Sequence, residues 1–116
     1  MYAILKLTNK EYKCRLSTRN LINLEKRLGE NPLNVFIGVS DSSLPKLETL
    51  LVILHESLQS LEHGITLDDT YDIYDQWIEE GNGFIELISF LMEVYKASGL
   101  IKEDKKKKSK ASEVKN

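Results

Sequence analysis

With one cysteine in its whole length, Cys14, the chain can close no internal disulfide. Lacking an export signal as well, it has a reducing cytoplasm as its natural setting. The opening MYAILKLTNKEYK has no basic region ahead of its apolar stretch and no small-residue cleavage site, so it does not read as a secretory signal. No apolar run approaches the roughly 18 residues that a bilayer-crossing helix needs. Gly-x-Gly-x-x-Gly, a Walker loop and a nucleophile elbow are all missing, which leaves phosphate cradling and acyl transfer without support. There are no internal repeats. Prolines number only two, and both Pro32 and Pro45 fall where a helix could begin.

Basic charge is also missing where a nucleic-acid domain would carry it. The net charge is −2, but residues 102–116 hold seven lysines against Glu103, Asp104 and Glu113, a local +4, so residues 1–101 carry −6. An acidic body with a basic tail does not suit phosphate contact from a folded surface. The 116 residues make one domain with a single core. We read 1–101 as a mainly α domain of four to five helices with an N-terminal β-hairpin, and 102–116 as a disordered lysine-rich tail.

Residues 2–7 and 11–16 are short and rich in β-formers. Tyr12, Cys14 and Leu16 alternate with Lys13 and Arg15, as in a half-buried strand. Ser17 or Thr18 caps a helix over 19–28, with Leu21, Ile22, Leu24 or Glu25, and Leu28 on its apolar side and Gly29 ending it. Asn31-Pro32 starts a short helix to about Ile37. The central helix is expected over 44–61, capped by Ser43 with Pro45 in its first turn. There Leu44, Leu47, Leu51, Leu54, Leu58 and Leu61 share one face, and Leu50–Leu54 is apolar at every position. Thr66-Leu67-Asp68-Asp69 starts a helix over 67–80. One broad face of it carries Leu67, Tyr71, Ile73, Tyr74, Trp77 and Ile78, and the opposite face Asp68, Asp72, Asp75 and Glu79. After Gly81-Asn82-Gly83 comes a helix over 84–98. Its polar strip of Glu86, Ser89, Glu93 and Lys96 spans only about 100°.

Three constellations invite chemistry and fail it. His55-Glu56 begins like a zinc-protease motif but has no histidine four residues on, and His63 lies two turns away; both histidines are better read as surface or cap residues. Asp68, Asp72, Asp75 and Glu79 lack the turning glycine of a calcium loop, so they read as a solvated acidic face, able at most to dock a basic partner. Cys14 points inward on a strand and reads as inert packing. No catalytic, cofactor or metal site is expected, and no enzymatic activity.

What remains is an excess of apolar helix surface. A compact core accounts for most of it, but an uncovered remainder implies a subunit or client contact. The candidate partner face is on the last helix: Ile85, Leu87, Ile88, Phe90, Leu91, Met92, Val94 and Tyr95. Within it Ile85, Ile88, Met92 and Tyr95 supply a helix-docking register, and Leu87, Phe90 and Val94 an alternative side.

The string LLVILHESLQSLEHGITLDDTYDIYDQWIEEG, followed by FIELISFLMEVYKASGL and preceded by LSTRNLINLEKRLGENPLNVF, resembles the small tail assembly chaperones of long-tailed phages and prophages of Gram-positive bacteria. The likeness runs from Tyr12 to about Leu100 and lies in helix pattern, with no functional residue to carry over. It implies a non-enzymatic factor in the host cytoplasm, absent from the finished virion, that coats the tape measure protein, keeps it soluble and helps tail tube subunits gather; self-association is expected from the apolar surplus instead. It implies no nucleic-acid or membrane partner. A programmed ribosomal frameshift is common in such genes, and Lys105, Lys106, Lys107 and Lys108 are compatible with a slippery run of adenines; a solubilising tail is the other reading. Two functions from other classes stay open: a small helical DNA-binding regulator and a generic protein–protein adaptor.

Overall fold

In a computed structural model of the chain, residues 1–102 are described. The expected tail, with Lys105, Lys106, Lys107 and Lys108, lies outside them. The described part is mainly α with an N-terminal hairpin.

Strands β1 (Ala3–Leu7) and β2 (Lys10–Cys14) pair antiparallel, with Ala3 opposite Cys14 and Leu7 opposite Lys10, so Thr8 and Asn9 make the turn. Alternation puts Leu5, Leu7 and Cys14 inward, and all three are buried. A two-stranded hairpin is marginal alone, and this one is held from outside. The Thr8 N–H is shared by both carboxylate oxygens of Glu80, at 2.9 and 3.1 Å. The Lys13 N–H reaches Glu62 Oε2 at 2.8 Å, and the Arg15 N–H reaches the Ser57 carbonyl at 2.8 Å. The outer edge of β2 is thereby closed within the chain, which blunts its use as a template for another strand.

Helix α1 (Thr18–Leu28) starts at Ser17, whose hydroxyl accepts the Asn20 N–H while the Asn20 side chain accepts the Ser17 N–H. It ends on Gly29 in the left-handed region, φ 73°. Leu24 faces the core, and Ile22, assigned by spacing to the apolar side, is exposed. A 3₁₀ helix (Pro32–Phe36) follows, capped by Asn31.

Helix α2 (Leu47–Leu58) is the hub: it packs on β2, α1, α3 and α4. It is shorter than the expected 44–61. Ser40 and Ser43 exchange two backbone hydrogen bonds in a tight turn, so Ser43 is committed there and does not cap. Leu44 precedes Pro45, a position biased away from helical backbone. Of the six-leucine stripe only Leu51, Leu54 and Leu58 are buried; Leu44, Leu47 and Leu61 are exposed. The core face is instead set by Leu50, Ile53, Leu54, Ser57 and Leu58, because neighbours stand on more than one side.

Helix α3 (Leu67–Glu79) is capped by Thr66 in a reciprocal box with Asp69. Gly81, at φ 92°, turns the chain into α4 (Phe84–Ala97). The turn is braced by Trp77, whose Nε1–H donates to the Gly83 carbonyl at 3.0 Å. Leu16 is tied to the far end of α4, its N–H donating to Ser98 Oγ at 2.8 Å.

Candidate functional site

The expected partner face on α4 is largely the chain's own core. Leu87, Ile88, Leu91, Val94 and Tyr95 are buried. Phe90 and Met92 are half-buried against the same core, and only Ile85 is exposed, at 53%. The docking register of Ile85, Ile88, Met92 and Tyr95 is therefore corrected, as is the Leu87, Phe90 and Val94 side. The physical reason is that α2, β1 and the 3₁₀ helix cover a helix that spacing alone left uncovered. Tyr95 shows this most plainly: its hydroxyl donates to the Pro32 carbonyl at 2.8 Å and Phe36 meets its ring edge-on at 5.1 Å. Burial raises its phenol pKa well above the ordinary 10.

Uncovered apolar surface is found on α3 instead. Its broad face divides in two. Thr70, Ile73 and Trp77 turn to the core. About a quarter turn away, Leu67, Tyr71, Tyr74 and Ile78 follow one another at spacings of four, three and four along the helix. Tyr71 and Ile78 are 42% and 43% exposed, and Leu67 and Tyr74 half-buried. Tyr71 and Tyr74 face Leu47 and Leu51 of α2 across an open groove of about 440 Å³, bounded by Glu48 and Asp75.

Asp68, Asp72, Asp75 and Glu79 are all exposed, as an acidic face should be. Asp75 borders the apolar stripe at the groove, whereas Asp72 turns toward the hairpin on the other side of α3. Among the described residues none of the four is in an ion pair. Nor do any three His, Cys, Asp or Glu side chains there gather as metal ligands. No described helix is long and apolar enough to cross a membrane.

Sequence reasoning missed a polar cluster joining α1, α2 and the start of α3. Glu56 is 4% exposed; its Oε1 accepts from Arg27 Nη1 at 3.0 Å and its Oε2 from Asn20 Nδ2 at 2.9 Å. His55 is half-buried and not a surface residue. Its Nδ1 stands 3.0 Å from the same Arg27 nitrogen and its Nε2 3.0 Å from the Ile65 carbonyl. Arginine can only donate, so Nδ1 accepts and the proton lies on Nε2. Burial and then the Arg27 charge lower the imidazole pKa. These bonds fasten helix ends together. His63 is exposed.

Cys14 is fully buried, and desolvation pushes its thiol pKa up to about 12, the state of an inert packing residue. A second cleft, of about 350 Å³, separates Lys10 and Tyr12 of the hairpin from Asp69, Asp72, Ile73 and Gln76 of α3. Burial, then Glu62 and Asp69, raises the Tyr12 pKa.

No curated protein and no solved structure matches the chain. A model of a protein family described as a family of unknown function, DUF6096, matches residues 2–115, nearly the whole length, and the chain belongs to that family.

Proposed function

We propose that this chain is a non-enzymatic assembly factor of the tail assembly chaperone kind, which holds the tape measure protein soluble in the host cytoplasm while tail tube subunits gather around it. The observation that carries the reading is the partly exposed stripe on α3, with Tyr71 and Ile78 open to solvent and Leu67 and Tyr74 half-buried, beside the Leu47/Leu51 wall. A holdase for a long helical client needs apolar helix surface that its own core leaves open. The likeness of residues 12–100 to that chaperone family supports the reading independently. So does the −6 charge of residues 1–101, which disfavours the DNA-regulator alternative.

Gene order and co-expression test it: a long tape measure gene should lie downstream of this one, and its product is then co-expressed with the chain. The client should move from the insoluble to the soluble fraction and co-purify with the chain. An unchanged soluble fraction, or a salt-dependent shift of duplex DNA by the purified chain, overturns the reading. The nucleotide sequence at the Lys105–Lys108 codons gives a second check: a slippery heptamer with an open alternative frame is expected of such a gene.

A further inference from the structure

We infer that the groove between α2 and α3 receives an amphipathic helix from another protein, one whose apolar face is bordered along one flank by lysine or arginine. The inference rests on the assembly-factor reading and names the client chemistry that reading leaves open. Leu47 and Leu51 on α2 and Tyr71 and Tyr74 on α3 line the groove, and Leu67 and Ile78 extend the same stripe of α3 one turn beyond it on either side. Leu67 to Ile78 spans roughly 16 Å, the length of about three turns of a docked helix. Rows spaced by three and four residues accept the i, i+3, i+4 and i+7 anchors of such a helix.

Charge selects among occupants. Glu48 and Asp75 bound the groove, and Asp68 and Glu79, two turns before and one turn after Asp75 on α3, extend that acidic side, with no cationic ion-pair partner among the described residues. A basic flank laid along this border gains attraction and loses none of its apolar contact. A second copy docked by two-fold symmetry through this face would set acid against acid. The chain's own residues 102–116 carry the right charge but, beyond Ala111 and Val114, no apolar side chain to fill the groove.

The test uses the full chain and a synthetic amphipathic helix of about 18 residues with leucine on one face and lysine down one flank, beside a twin with glutamate in place of lysine. Binding is read by fluorescence anisotropy at low salt, where surface charge is least screened. The lysine peptide should bind about tenfold or more tightly than its twin, and Tyr71→Ser with Tyr74→Ser should weaken it about tenfold. Glu48→Gln with Asp75→Asn should erase the preference between peptides and retain binding. Tyr71→Lys, a single change at an exposed site, provides a second variant if the double tyrosine variant unfolds; it should repel the lysine peptide.

Equal binding of the two peptides overturns the inference, as does indifference to every tyrosine variant. A gain of about tenfold on removing residues 103–116 would make the tail the occupant, and dimerisation lost in Tyr71→Ser would make it a second copy; either overturns it too. Co-expression separates the two levels of argument. A tape measure protein kept soluble equally by the tyrosine variants refutes the groove and spares the assembly-factor reading. A client that precipitates regardless, with the lysine peptide still bound in the groove, refutes the assembly-factor reading and spares the groove.

Discussion

Glu56 is the only charged side chain buried among the described residues, and its two oxygens are held by Arg27 and Asn20. Arg27 keeps about a third of its side chain in solvent, so the two partners respond differently to truncation. Arg27→Ala strands a buried carboxylate and should cost about 3 kcal/mol. Glu56→Ala leaves a guanidinium that can reach water and should cost about 2 kcal/mol. Urea denaturation distinguishes them. His55 sets the pH dependence. Its folded pKa is lowered, so the unfolded chain takes up the proton first, near the ordinary 6.5. This contribution is complete above that value and is lost as pH falls from it through the lower folded value. The urea midpoint should therefore drop as pH falls below about 6.5, less steeply in His55→Gln, and a midpoint that rose there would refute the lowered imidazole pKa. Cys14 should resist alkylation at mildly alkaline pH until the chain unfolds, since its thiol is both buried and held protonated; mass spectrometry across a urea series reads this directly.

At the level of elements, α4 is a core helix. Leu91 has no exposed surface, and Leu91→Ala should destabilise by about 2–5 kcal/mol, whereas Ile85→Ala should stay within about 0.5 kcal/mol. Comparable losses at both sites would contradict the burial. The contrast shows what spacing can and cannot tell. Ser17, Gly29, Thr66 and the Gly81-Asn82-Gly83 break were legible, because caps and turns are settled by the few residues around them. The inward face of the hairpin was legible from its alternation. The start of α2 was not, because Ser43 had a rival use in its turn with Ser40. The orientation of α4 was also hidden: a helix apolar on most sides does not say which sides its neighbours take. For the same reason the groove went unseen, since Tyr71 and Tyr74 were counted with Ile73 and Trp77 as one face. Only the placement of α2 divides them.

For the molecule as a whole, every element reports on one core. Trp77 is buried at the α3–α4 turn, its ring tilted over Phe90 at 6.3 Å. Its fluorescence and far-UV circular dichroism should give coincident urea transitions, as expected of one cooperative unit; separated midpoints would mean that the hairpin or α1 melts independently. The bonds that hold the hairpin come from far along the chain: Thr8 waits for Glu80, Lys13 for Glu62, and Leu16 for Ser98. During synthesis the hairpin thus emerges well before the residues that support it. A product cut short before α4 would keep the α2 contact with β2 but lose the helix that packs on β1 and the Ser98 tie to Leu16. Leu5 and Leu7 would be less covered, and the hairpin a readier substrate for proteolysis. Quality control is thereby built into the order of manufacture, because only a chain that has reached α4 can fully cover its own hairpin.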